Sequence, residues 1–147
     1  MLARRFITLG AVLLTTTAMA QDITSVADFV TAATLDMNRP LGEQGVSART
    51  YSAIYAVNTV HVARDLDVTL RELREALAPG GMLVMSECVR LVDGDTLNPE
   101  FVFNLLESFR APVLQPAYRP NGGFLTPEQW RGALAAGGFD EVRFLPE

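Results

Sequence analysis

Four leucines, Leu66, Leu70, Leu73 and Leu77, recur at i, i+4, i+7 and i+11 and draw one apolar stripe along a helix over residues 65–78. Asp65 stands where an N-cap belongs, and Arg71, Glu72, Arg74 and Glu75 form the solvated opposite face. On either side the period changes. Residues 53–57 (AIYAV) and 82–86 (MLVMS) are short continuous apolar runs, the pattern of parallel strands buried on both faces. Pro79-Gly80-Gly81 reads as a turn that stops the helix and feeds the second run. Strand, helix, turn and strand make a βαβ unit, whose crossover is right-handed in nearly all proteins. The fold class is therefore α/β.

Elsewhere the elements are shorter. Residues 29–35 (FVTAATL) are apolar and β-branched, which predicts a strand, and residues 38–49, with Pro40, Gly42 and Gly45, predict a loop. Asn98-Pro99 opens a helix to about residue 110 that is apolar nearly all round and so expects burial on more than one side. Thr126-Pro127-Glu128-Gln129 is a capping box with Pro at the first helical position. That helix carries Trp130 and Leu134 on one face and ends at Gly137-Gly138, before a last strand over residues 141–145.

Residues 1–20 follow a different plan. Arg4 and Arg5 precede an uncharged apolar run over 6–14, and Ala18-Met19-Ala20 is a small-x-small cleavage signature, the order of a secretory leader. The run is too short for a stable membrane span, which takes about 20 apolar residues. An ordinary helix or strand at the start of a domain is the alternative. On the leader reading residues 1–20 are removed, residues 21–147 form the domain, and the protein is exported; without it a cytoplasmic location stands.

Composition removes much chemistry. The chain of 147 residues is 49% hydrophobic, enough for one small globular domain and too apolar for disorder. A formal charge of −5 argues against a nucleic-acid partner, which needs a basic stripe along the phosphates. All 12 basic residues are Arg, so no Walker-A lysine, Schiff-base lysine or Ser-x-x-Lys site exists. With one Cys (Cys88) and one His (His61) there is neither a disulfide framework nor a Cys/His metal site.

The stretch RTYSAIYAVNTVHVARDLDVTLRELREALAPGGMLVMSE, residues 49–87, resembles the middle of class I S-adenosylmethionine-dependent methyltransferases, from the fourth strand through a helix and an L-x-PGG-x-L turn to the fifth strand. GFLTPEQWRGALAAGGFDEV, residues 123–142, is similar to that family's late helix and sixth strand. LDMNRPLGEQGV, residues 35–46, with the later N-x-x-H, resembles the methyltransferase domains of polyketide synthases. The resemblance implies a Rossmann-like sheet with flanking helices, S-adenosylmethionine as cofactor, and carbon- or oxygen-methyl transfer to a small molecule. It places Asp36 and Met37 near the adenine and Asn58 beside the cofactor cleft. It also implies that His61 is a base paired with Glu87. The residues agree: both follow parallel strands at their carboxyl ends, where open α/β sheets hold ligands. A glutamate there orients an imidazole that titrates near neutrality. The plainer alternatives are a hydrogen-bonded structural His61 and a Glu87 that faces water or pairs with Arg90.

The glycine-rich loop after the family's first strand and the ribose-binding acid after its second have no counterpart here. Set on the family sheet order, 3-2-1-4-5-7-6, only strands 4 and 5 keep their neighbour, so the expected sheet is partial and truncated at both ends. Unpaired buried backbone groups cost about 1–3 kcal/mol each, so either the strands re-pair, a second polypeptide fills the gap, or the chain is a marginal remnant of a rearranged gene. Two functions follow: an incomplete methyltransferase, inactive until complemented, or an exported non-enzymatic α/β remnant that serves as an interaction module.

Overall fold

The computed structural model describes residues 5–9 and 33–145. Three parallel strands form one sheet in the order β1-β2-β3: β1 (Arg5–Leu9), β2 (Tyr51–Val57) and β3 (Leu77–Ser86). Helix α1 (Leu66–Ala76) connects β2 to β3, which completes the βαβ unit. Its cap is the predicted one, with the Asp65 carboxylate accepting from the Val68 N–H at 3.1 Å. The leucine stripe is sealed: Leu66, Leu70 and Leu73 pack with Ile54 and Ala56 of β2 and with Trp130 and Ala133 of α4 (Pro127–Ala136). The capping box of α4 is complete, because Thr126 accepts from the Gln129 N–H and Gln129 accepts from the Thr126 N–H.

Three differences from the sequence reading concern this core. The helix ends two residues early, since Leu77 and Ala78 belong to β3. Pro79-Gly80-Gly81 is a bulge inside β3 rather than a turn before it. Tyr51 pairs with Leu77 and Ala53 with Met82, so β3 has three more residues than its partner over this interval. Gly81 is required there, because a Cβ would lie 2.8 Å from the Tyr51 carbonyl oxygen. Among the described residues the two strands, expected to be buried on both faces, are covered on one. Ile54, Ala56, Leu83 and Met85 face the core, while Tyr55, Val57, Met82 and Val84 are exposed.

The peripheral elements depart further. The helix expected over residues 98–110 is two single turns, α2 (Glu100–Phe103) and α3 (Glu107–Arg110), broken where Leu106 is extended. The physical reason is direction. In an unbroken helix Phe103 and Phe109 would point about 120° apart, and the break lets both turn inward while Phe101 and Leu105 stay in water. Residues 38–49 are a loop around a single 3-10 turn, Leu41–Gln44. Residues 141–145 form no ladder, nor do 33–35, whereas 29–32 lie outside the described residues.

Most of the leader-like stretch also lies outside the described residues, but Arg5–Leu9 is β1, in register with β2 from Phe6↔Ala53 to Leu9↔Ala56. The edge of β2 that the family order leaves open is therefore paired from within the chain. Leu73→Ala is expected to lower unfolding stability by about 2–5 kcal/mol, the cost of a cavity under a sealed leucine. Thr126→Ala is expected to cost about 1 kcal/mol. Urea titrations followed by circular dichroism measure both.

Candidate active site

β2 and β3 run parallel and end side by side, so the residues that follow them meet. Asn58, just beyond β2, turns the chain through a left-handed conformation (φ 48°) and donates its N–H to the Ser86 carbonyl at 2.6 Å. Its Oδ1 accepts from the Cys88 N–H at 3.4 Å. Between Ser86 and Cys88 stands Glu87. Its Oε1 accepts from the Thr59 N–H at 3.1 Å and the Val60 N–H at 2.8 Å, and its Oε2 lies 2.5 Å from His61 Nδ1. A carboxylate only accepts, so Nδ1 carries the proton in this pair and Nε2 is the nitrogen left for other work.

His61 sits in a 3-10 turn, Val60–Val62, and is wholly buried. Its Nε2 has no hydrogen-bond partner among the described residues. Three phenylalanine rings surround the imidazole nearly edge-on, with centroids at 4.6 Å for Phe103, 4.8 Å for Phe124 and 5.7 Å for Phe109. The backbone is held as well. Arg119 donates to the carbonyls of His61 at 3.1 Å and Ala63 at 2.9 Å. Burial lowers the Arg119 guanidinium to about 10, with Asp65 opposing, so it stays charged at neutral pH.

Arg90 does not pair with Glu87. It forms a buried two-pronged bridge to Glu100, Nε to Oε1 and Nη2 to Oε2, both at 2.7 Å. Arg119, Glu100 and the three phenylalanines were not singled out in the sequence. Of these, only the inward-facing pair Phe103 and Phe109 left a trace there, as an apolar run with no single helical face.

Asp36 and Met37 sit elsewhere, Met37 beside the start of α1. Asp36 is exposed and its Oδ1 accepts from the Asn38 N–H at 2.9 Å. Met37 is half-buried against the core, and its carbonyl accepts from the Thr69 hydroxyl at 3.1 Å near the start of α1. Thus His61, Glu87 and Asn58 form one connected group, and among the described residues no hydrogen bond joins Asp36 or Met37 to it. Glu87 also borders a cleft of about 420 Å³, with Met85, Trp130 and Phe144 in its wall.

No protein-family model matches the chain. Over 120 residues it is 31% identical to polyketide synthase PksM of Bacillus subtilis (strain 168), covering 81% of this chain and 3% of that protein. Over 104 residues it is 35% identical to the hybrid PKS-NRPS synthetase buaA of Petromyces alliaceus, covering 71% of this chain and 2% of that one. The solved CurJ carbon methyltransferase superimposes with a TM-score of 0.73 at 30% identity, over 98% of this chain and 36% of that one. In sequence and fold the chain is thus similar to part of the polyketide-synthase-type carbon methyltransferases. The methyltransferase-like chain spans about a third of that solved domain. The trans-methyltransferase CalH, solved with SAH, is similar at a TM-score of 0.54 and 26% identity, over 71% of this chain and 27% of that one.

His61 is the sole histidine, so its ring nitrogens give one unambiguous set of ¹⁵N signals. In the neutral ring Nδ1 is expected in the protonated, pyrrole-like range and Nε2 in the pyridine-like range; the reverse assignment would contradict the geometry. Glu87→Ala leaves three donors without their acceptor, at about 1–3 kcal/mol each, so it is expected to destabilise the methyltransferase-like domain well beyond Glu87→Gln. Paired urea titrations decide.

Proposed function

We propose that this chain supplies the acceptor-side part of an S-adenosylmethionine-dependent methyltransferase site that methylates carbon, with oxygen the lesser alternative, in a small molecule. In this reading His61 is the general base, Glu87 orients it, and a second polypeptide supplies the rest of the cofactor site. The observation that carries the reading is the state of the imidazole. One nitrogen is bound to a carboxylate that is itself held by two backbone N–H groups, and the other has no hydrogen-bond partner among the described residues and lies among apolar rings. A histidine kept only for structure has no need of a free second nitrogen, and leaving one buried costs free energy.

The cofactor-side residues fit in part. Asp36 is an exposed carboxylate with one oxygen engaged by Asn38, so the other can accept from the adenine amine. Met37 offers an apolar neighbour, and Asn58 stands at the carboxyl end of β2, where its Oδ1 accepts from the Cys88 N–H. When bound, S-adenosylmethionine supplies an electrophilic methyl group. The work of this chain is to move a proton: Nε2 of His61 would take it from the acceptor carbon, leaving there the electron pair that bonds the methyl carbon as the methyl–sulfur bond breaks and its pair returns to sulfur, with a neutral thioether as leaving group. Glu87 stabilises the imidazolium so formed. The phenylalanine rings keep water from competing for Nε2. The name of the CurJ structure, a carbon methyltransferase, supports carbon over oxygen.

Isothermal titration of the chain alone with S-adenosylmethionine is expected to show weak binding or none; tight one-to-one binding would remove the need for a second polypeptide. With the remaining segments of the solved CurJ domain supplied in trans, His61→Ala is expected to cut the methylation rate by roughly 10²–10⁴-fold at unchanged cofactor affinity. Glu87→Gln is expected to lose less, and the double variant little more than His61→Ala, because the two act as a unit. Full activity in His61→Ala would return the residue to a structural role.

A further inference from the structure

The walls of the His61 enclosure come from distant parts of the chain, and one buried ion pair reaches two of them. Glu100 opens α2, and Phe103 lies one turn later on the same short helix. Glu100 Oε1 also accepts from the Phe124 N–H at 3.1 Å, which fixes the residue whose ring stands 4.8 Å from the imidazole. Arg90 holds Glu100 with two N–H groups and spends a third on the Gly122 carbonyl at 3.1 Å. The Arg90 backbone N–H donates to the Leu125 carbonyl at 3.1 Å. Gly123 has no room for a side chain: at φ 92° its Cβ would stand 2.0 Å from Arg90 Nη2. Arg90 itself is three residues beyond Glu87, so the chain that orients the imidazole from one side continues into the clamp.

Single-turn helices such as α2 and α3 are not stable on their own. Phe101, Val102, Leu105 and Leu106 on this segment are exposed, so outward packing does little to hold it. Burying an ion pair rarely adds net stability over apolar side chains of similar size, and its best-attested use is to fix one arrangement. Both conditions are met here.

We propose that Arg90 and Glu100 are positioning residues for His61. Their paired side chains hold Phe103 and Phe124 across its free Nε2, keep water off that nitrogen, and restrict it to an acceptor with an apolar surface around the reacting carbon. The inference rests on the reading of His61 as the base.

Diethyl pyrocarbonate acylates an accessible unprotonated imidazole, and with one histidine in the chain, mass mapping of the His61 peptide reads that site alone. The full-length wild type is expected to react far more slowly than free N-acetylhistidine. Arg90→Met and Gly123→Ala, which disturb the clamp from two directions, are each expected to speed the reaction about tenfold or more in the absence of urea, through local opening. Glu100→Gln is expected to fall between, since its amide oxygen can still accept from the Phe124 N–H; if Arg90→Met fails to fold, this variant carries the test. Leu73→Ala loosens the core without touching the enclosure, so its reaction should stay slow until urea is added. Wild-type rates in all three clamp variants would overturn the proposal, as would acceleration that appears only in step with urea-induced unfolding. The probe reads access to Nε2 and not turnover. If accelerated labelling coincides with full activity in His61→Ala, the base assignment fails while the shielding by the clamp stands.

Discussion

The carboxylate of Glu87 joins the ends of β2 and β3, and the geometry around it depends on that join. One oxygen collects the Thr59 and Val60 N–H groups and the other the Nδ1–H of His61, so a single side chain on β3 shapes the backbone leaving β2 and orients the ring it carries. Charge-assisted bonds of this kind are short and directional. Here they are shielded by apolar rings, where an electrostatic contact is stronger than in water and an unmade one is more costly. Arg119 completes the restraint from behind by gripping the carbonyls of His61 and Ala63. The imidazole is thus held by its ring and its backbone, and only Nε2 is left without a partner among the described residues.

What could be read in the sequence was what is local or periodic. Leu66, Leu70 and Leu73 of α1, its Asp65 cap and the capping box of α4 rest on contacts within a few residues, and each stands where the spacing put it, while Leu77, the fourth of the stripe, opens β3. Apolar runs located β2 and β3 but not the number of faces they bury, because a run has no period to tell one face from two. Pro79-Gly80-Gly81 reads as a turn, and only the register against the parallel partner strand makes it a bulge. The segment from Asn98 to Arg110 was apolar all round; the demand to place Phe103 and Phe109 on the same imidazole broke it.

The candidate site divides the same way. His61, Glu87 and Asn58 come from the resemblance too, but there a rule of topology agrees with it: parallel strands bring their carboxyl ends together, which needs only the strands. Asp36 and Met37 depended on resemblance, and the structure seats them by the start of α1 rather than in contact with His61. The Arg90–Glu100 bridge spans ten residues of irregular chain, and its need for Gly123 arises only once the loop before Phe124 has closed on it. No pattern in the sequence encodes a contact of that kind.

β1 lies wholly inside the stretch whose charge, apolar core and small residues fit an export leader. The same five residues cannot serve a leader-binding receptor and the hydrogen-bond ladder of β2 at once, so the two fates exclude each other in any one molecule. Order of synthesis sets the contest. β1 emerges roughly forty residues before the strand it pairs with, which at about 5–20 residues per second leaves it unpartnered for roughly 2–8 s. Capture by a receptor would have to occur within that interval or wait for the sheet to open. Were the stretch read as a leader, the third strand would thus depend on kinetic partitioning during translation, before α1 has been made.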